Sequence, residues 1–365
     1  MGKKSRSIFR FIFKIILIIC AIPLLLCYIS IFINPEIVPV FSVFGPYFIP
    51  IVIINIIMLI IAAIMRTSAF WITFVMLIPS LFFVDSYIQF GKNEREDEEG
   101  LKLMTYNVGN FSSSQEGRTY NETLEDIGDF ISEKGPDIVA MQEFYVSDTT
   151  NLKKSFPGYP YIQKFLVYNP DGKYFVGNVI FSKYPIIDGD EMEFEDSGNK
   201  AVYADIVIHG KEIRLYNLHL QSNHVSLESI LDKLSNDYDG FSDEFADAHV
   251  KVKDSSPKRI KQVKYILDHI DNCKTDVMLC GDFNDTPVSY SVQKLGRGRK
   301  DSFAEGGNGW GATYSILWPL LRIDYVFVPK DWEVLKHETL KVKYSDHYPV
   351  MTKIDIDYDR QEQSI

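Results

Sequence analysis

The stretch LCGDFNDTP, residues 279–287, places a carboxylate and a carboxamide two positions apart, Asp282 and Asn284, directly after an apolar run. Such residues can close an Asx turn and cap a helix beginning near Pro287, with Asp285 or Thr286 as the cap. They can also face a substrate. Repetition favours the second use. Residues able to bind a cation or a phosphate stand at the end of strand after strand: Asn107 after LKLMTY, Glu143 after DIVAMQ, His219 after RLYNL, and Asp282 and Asn284 after VMLCG. Asp324 lies near the start of RIDYVFV, and Asp346 and His347 precede an apolar run in YSDHYPV. One strand-end acid is an ordinary turn residue, whereas a set of this size is a candidate site.

The residue types define the chemistry. Carboxylate and amide oxygens, without sulfur or clustered imidazoles, suit a hard cation such as Mg2+ or Mn2+ that binds substrate phosphate directly. The cation neutralises charge on a phosphoryl group in the transition state. A carboxylate deprotonates the attacking water, and a histidine oriented by a second carboxylate moves a proton. Amide and imidazole N–H groups stabilise the developing oxyanion.

Strands are predicted at 101–107, 137–143, 177–182, 201–209, 212–220, 277–279, 323–328 and after Pro349, with helices over 124–132 and 259–270. In the second helix Ile260, Val263, Ile266, Leu267 and Ile270 share one face. This alternation is α/β, with no internal repeat. The polar, acidic stretch 227–256 reads as an inserted, partly helical excursion. Inside it NDYDGFSDEF mimics a calcium loop, but placing Gly240 sixth puts Ser235 and Ala246 where Asp and Glu are needed. EGGNGWGATY, 305–314, lacks Lys and P-loop spacing and reads as a flexible substrate-side loop.

The ordered series TYN, MQE, NLHL, GDFND, RIDY and SDHYPV resembles the endonuclease/exonuclease/phosphatase superfamily, which includes pancreatic deoxyribonuclease, apurinic endonucleases, neutral sphingomyelinases and inositol-phosphate phosphatases. The resemblance runs from Leu101 to Ile356 and implies a four-layer α/β sandwich of two packed mixed sheets. It further implies Glu143 as the main metal ligand, with Asn107 and Asp346 completing the metal neighbourhood. Asp282 would align or activate water, Asn284 would hold the scissile phosphate, and His347, paired with Asp324, would contact phosphate or transfer a proton. His219 is similar to a second active-site histidine of the deoxyribonuclease and sphingomyelinase branches. The chain departs from the family on GNVIFSKYP, where Asn178 stands in place of a frequent second acid.

The front of the chain is different. From Ile8 to Phe90 apolar residues run almost unbroken, divided at 34–46 and at Arg66-Thr67 into three blocks, each long enough for the ~20 residues that cross a bilayer. Three consecutive all-apolar segments have no polar face to offer water, and the first lacks a small-x-small cleavage site. The expected organisation is a membrane domain with three transmembrane helices (1–90), a charged linker (91–100) and the catalytic domain (101–365). Lys3, Lys4, Arg6, Arg10 and Lys14 at the first block, Arg66 between the second and third, and no Lys or Arg in 34–46 orient the N-terminus inward. The catalytic domain would then face outward, in a bacterium into the periplasm or cell exterior from a multi-pass anchor in the inner membrane.

Six basic residues against Glu36 and Asp85 make residues 1–90 net positive by four, so in a chain of net charge −11 the remainder is −15. Phosphate backbones are held chiefly by Lys and Arg, so an acidic domain favours a substrate other than a polynucleotide. Four cysteines, two of them in the first apolar block, form neither a disulfide framework nor a zinc motif. The expected activity is that of a membrane-tethered, divalent-metal-dependent phosphoesterase acting on lipid headgroups or other surface phosphoesters. A surface-tethered nuclease is the second reading, and a non-catalytic binding domain on the same fold the third.

Overall fold

The chain is described by a computed structural model over residues 3–90, 99–112, 117–149, 152–170, 172–194 and 197–357. The N-terminal unit comprises helices α1 (Lys3–Ser30), α2 (Phe48–Ile64) and α3 (Phe70–Leu77), the last continued by a 3-10 run, Ile78–Ser86. Two of its helical segments, Phe11–Ser30 and Pro39–Ile64, are long and apolar enough to cross a membrane, rather than the three expected. The third block is broken because Pro79 offers no N–H and crowds the carbonyl four residues back, so the α-helical ladder stops at Leu77. The segments pack side by side. Leu24, Cys27, Phe48 and Tyr87 are buried at one end, and Phe13, Leu17, Ala62 and Ala69 at the other. Isoleucines such as Ile19, Ile22, Ile53, Ile57 and Ile60 point outward. Most of the expected linker, 91–98, lies outside the described residues.

After a two-residue strand β1 (Ile88–Gln89) the chain builds β2 (Leu101–Asn107), α4 (Tyr120–Lys134), β3 (Ile138–Val146), α5 (Leu152–Ser155), β4 (Tyr161–Asn169), β5 (Tyr174–Ser182), β6 (Ile186–Met192), β7 (Ala201–Ile208) and β8 (Lys211–His219). Then follow α6 (Leu227–Asn236), α7 (Tyr238–Asp271), β9 (Asp276–Asp282), α8 (Tyr290–Gly296), β10 (Arg299–Asp301), α9 (Ser302–Gly306), β11 (Gly309–Trp310), β12 (Asp324–Pro329), β13 (Glu333–Thr339) and β14 (Val350–Asp355). Among the described residues these strands form two six-stranded mixed sheets, β10-β12-β9-β8-β7-β6 and β13-β14-β2-β3-β5-β4, plus the pair β1-β11.

Side-chain alternation explains the layering. Leu101, Leu103, Ile138 and Ala140 of one sheet meet Val202, Ala204, Leu215, Met278 and Val326 of the other in a shared core. The intervening residues Met104, Tyr106, Val139 and Met141 face outward and are covered by Ile127, Phe130 and Ile131 of α4. Val263, Ile266 and Ile270 of α7 cover the opposite sheet. The result is the helix–sheet–sheet–helix sandwich expected.

Two helices differ from their expected limits. The helix expected from Arg259 begins at Tyr238 and runs unbroken through Pro257, with Ser255 and Ser256 donating their hydroxyls to Lys251 O and Val252 O. The helix expected near Pro287 begins at Tyr290, and its cap is Ser289, whose Oγ accepts from Val292 N. Asp285 and Thr286 are therefore not the cap. The Gly-rich stretch 305–314 is more than a substrate-side loop, because β11 pairs antiparallel with β1 and Gly311 N donates to Tyr87 O. It docks the sandwich onto the end of the N-terminal unit, where Arg322 also donates to Ser86 O and Gln89 to Ala304 O.

Candidate active site

The site lies where the two parallel strand pairs end. β2 and β3 run parallel in one sheet, β8 and β9 in the other, so Asn107, Glu143, His219 and Asp282 all emerge at the carboxyl edges of their strands. Antiparallel neighbours begin at the same edge. Register sets His219, Asp282 and Asp324 on one rung across β8, β9 and β12, and β14 follows directly on the segment carrying Asp346 and His347.

Backbone geometry aims the key groups. The β3–β5 register shifts between Met141 and Phe144, and Glu143 sits at φ 50° in that bulge. A left-handed conformation costs a non-glycine residue of ordinary type on the order of 1–3 kcal/mol, and bulges re-aim side chains next to active sites. Asn284 at φ 52° and Asn110 at φ 54° share this conformation, which Asn tolerates better. The Asx turn foreseen in GDFND is present, with Asn284 N donating to Asp282 Oδ1 at 2.8 Å.

All eight expected residues fall in one cluster. Asn107 Nδ2 donates to Glu143 Oε1 (3.1 Å) and Asp282 Oδ2 (3.0 Å), drawing carboxylates of the two sheets onto one amide. Its Oδ1 accepts from Gly109 N, so here Asn107 braces the acids. Asn284 Nδ2 donates to Leu220 O and Asp282 Oδ2. His219 Nε2 stands 3.5 Å from Glu143 Oε1 and 3.9 Å from Asp282 Oδ2. His347 Nδ1 is 2.9 Å from Asp324 Oδ2, and its Nε2 3.8 Å from Asp282 Oδ2. Ser345 Oγ donates to Asn107 O and lies 3.2 Å from Asp346 Oδ1. Asn178 is buried and donates to Lys200 O and Asn217 O, so the partners facing His219 are Glu143 and Asp282.

Other residues join the site that the sequence reading did not single out. Asn110 Nδ2 donates to Glu143 Oε2 at 3.1 Å. Thr313 Oγ1 accepts from Asp324 N, and the Tyr314 ring meets His347 edge-on at 5.3 Å. Behind β9, buried Arg259 donates to Asp285, Gln221 O and Asn223 Oδ1, tying together the loops after β8 and β9. The spacing of Asn110 from Asn107 in YNVGN was a usable signal. Arg259, inside PKRIKQVK, gave none.

Electrostatics separates two functions within the cluster. Burial alone would lower the His347 pKa, but Asp324, Asp282 and Asp346 override it and hold the imidazole well above its ordinary value. Burial pushes the Asp282 carboxyl up to about 6, with Asp324 adding to the rise and His347 and His219 opposing it. The ion pairs made by Glu143, Asp282 and Asp324 are with His219 and His347. Asp282, Asp324 and His347 offer ligand atoms within 4.8 Å of one another. Both Asp324 oxygens, however, approach His347 Nδ1, which makes Asp324 an orienting partner. The carboxylates of Glu143 and Asp346, which with Asp282 line one end of the same cavity, fit a hard divalent cation better.

Asp282 and His347 both hold their proton more tightly folded than unfolded. Their contribution to stability is full below the unfolded pKa and is lost as pH rises through the folded one, about 6 for Asp282. A cation needs the ionised carboxylate and competes with these protons. Mg2+ is therefore expected to raise the Tm more at pH 8 than at pH 5, relative to EDTA controls in thermal scans. Equal shifts at both pH values would remove this cluster as the cation site.

Residues 104–347 match the Endonuclease/Exonuclease/phosphatase family, and the matched span contains every group just described. The chain belongs to that family. Residues 9–87 match a domain of unknown function (DUF8431), and no curated protein matches the chain. Among solved structures, the family member from Beutenbergia cavernae is 19% identical with TM-score 0.53, covering 70% of this chain and 72% of that one. One from Bacteroides thetaiotaomicron is 17% identical with TM-score 0.52, covering 70% and 97%. The Bacteroides thetaiotaomicron mannosyl-6-phosphatase Bt3783 is 18% identical with TM-score 0.51, covering 70% and 100%. These likenesses concern the family fold.

Proposed function

We propose that this protein is a membrane-anchored, divalent-metal-dependent phosphoesterase whose catalytic domain faces away from the cytoplasm. The observation that carries the chemistry is the single rung His219–Asp282–Asp324, with Glu143 and His347 closing on it. Glu143 and Asp346 would hold the cation, with Asn107 completing its neighbourhood, and Mg2+ or Mn2+ when bound would supply neutralisation of phosphate charge. Asp282, with its raised pKa, takes a proton from the attacking water. His347, held protonated and oriented by Asp324, donates from Nε2 to the phosphoryl group or the departing oxygen. Asn284 exchanges its bond to Asp282 for one to the scissile phosphate, and His219 steadies the opposite side. The assay is release of alcohol or phosphate from a panel of phosphoesters by the reconstituted full-length protein. Turnover with Mg2+ or Mn2+ that EDTA abolishes supports the reading, and no turnover of any phosphoester under either condition rejects it.

Support for anchoring comes from the two long apolar helices of the N-terminal unit. Residues 30–48 and 86–89 lie together at its domain-facing end, while Arg66 lies at the other. The third block, α3 with its 3-10 continuation, carries the chain back from the Arg66 end to the domain-facing end, so with the basic residues inside the sandwich sits outside. Protease added to intact spheroplasts is expected to digest the chain beyond residue 99, whereas protection until the membrane is breached would reverse the orientation.

A further inference from the structure

A cavity of about 480 Å³ opens from the catalytic cluster and continues away from it between α6, α7 and the segment leading into α2. At one end stand Glu143, Asp282, Asn284, Asp346 and His347. Beyond it the wall is mainly apolar, interrupted by polar groups such as His224 and His249: Leu227, Ile230 and Leu231 come from α6, Val252 from α7, and Val43 and Pro46 from the N-terminal unit. Leu317, Leu320 and Leu321 complete it. The size lies in the roughly 300–1,000 Å³ range of small-molecule sites. Half-exposed aliphatic side chains converging on a phosphoester-binding cluster leave a hydrophobic surface with no partner of its own.

Two further features say what covers it. The far wall exists only because the two units are docked: Tyr47 OH lies 3.0 Å from His249 Nε2, and the two rings stack at 5.6 Å. Pro46 and Pro50 stand at the start of α2, whose onward surface carries exposed Ile53, Ile54, Ile57 and Ile60. The apolar wall is thus continuous with the surface that bilayer hydrocarbon covers.

Resting on the phosphoesterase reading above, we propose that the substrate is a membrane lipid carrying a phosphoester, with its head in the catalytic cluster and one hydrocarbon chain in this groove. The chain stays in an apolar environment while the head is presented to Asp282 and His347. The acidic insertion 227–256, which supplies α6 and much of α7, is on this account the element that makes the family fold lipid-selective.

Two measurements test it in lipid nanodiscs holding the full-length protein. First, a dodecyl phosphate with a diazirine near the chain end is photolysed and the labelled residues are mapped. Label on 227–231, 248–252 or 43–50, competed by unlabelled dodecyl phosphate but not by methyl phosphate, is expected. Label confined to the outward faces of α1 and α2 would overturn the proposal, whether or not the protein turns over any ester. Second, kcat/KM for p-nitrophenyl alkyl phosphates should climb up to about fourfold per added methylene at ~0.8 kcal/mol each. Ala248→Trp, which fills the groove outside the catalytic cluster, should flatten that series while leaving the methyl ester rate unchanged. A flat wild-type series would also overturn the groove, whereas absence of all turnover with groove labelling intact would reject the catalytic assignment alone.

Discussion

Glu143→Gln, Asp282→Asn and His347→Ala are each expected to lower metal-dependent phosphoester hydrolysis at least about a hundredfold, or ~2.7 kcal/mol of transition-state stabilisation. The reason lies in how few groups share the task. Asn107 holds Glu143 and Asp282 at 3.1 and 3.0 Å from one amide, so neutralising either removes charge where a cation is wanted. His347 is the only histidine of the cluster locked by a carboxylate on its Nδ1. Its loss removes the proposed proton donor and a counter-charge to Asp282 together. Because Asp282 and His347 are proposed to act on one phosphoryl group, the double variant should be little worse than either single variant. Rates are measured alongside far-ultraviolet circular dichroism and thermal scans. Folded single variants with near-normal rates would make the cluster structural and sink the catalytic reading.

What could be read from the sequence follows from burial. β2, β3, β5, β7, β8, β9 and β12 are covered on both faces, so they appear as dense apolar runs. Within the two six-stranded sheets, the strands that sequence reasoning passed over, β4, β6, β10 and β13, are the four edges. Their patterns are mixed because one side meets solvent: Ile187 of β6 is exposed, and so are Tyr161, Val167 and Tyr168 of β4. The candidate site residues were legible for the opposite reason, since polar groups ending buried strands contradict their surroundings. Residues acting through tertiary contacts had no such contrast. Arg259 sits in a basic heptapeptide that looks solvated and is nearly inaccessible. The Gly-rich 305–314 stretch resembles a loop until β1 is there to pair with it. The third apolar block has the composition of a span, and its interruption depends on one proline.

Arg259 also carries the largest expected effect on stability. The guanidinium is fully buried and donates to Asp285 Oδ2 at 3.0 Å, to Gln221 O at 2.8 Å and to Asn223 Oδ1 at 2.7 Å. Asp285 has one other side-chain donor, Ser291 Oγ at 2.5 Å. Arg259→Leu leaves that carboxylate buried without its counter-charge, and breaking one side of such a pair costs about 3–5 kcal/mol. In a protein of this size a Tm fall of roughly 6–20 °C follows, at about 2–4 °C per kcal/mol. Much of the loss comes from the stranded charge, so Arg259→Leu combined with Asp285→Leu should recover part of it. Recovery stays incomplete because Gln221 O still lacks its donor, at about 1–3 kcal/mol. The same clamp positions the loops that lead from His219 and Asp282, so the single variant should also lose kcat in scans below its melting point. A double variant no more stable than Arg259→Leu would show that the cost lies in packing of the α7 stem against β8 and β9, with the ion pair contributing little.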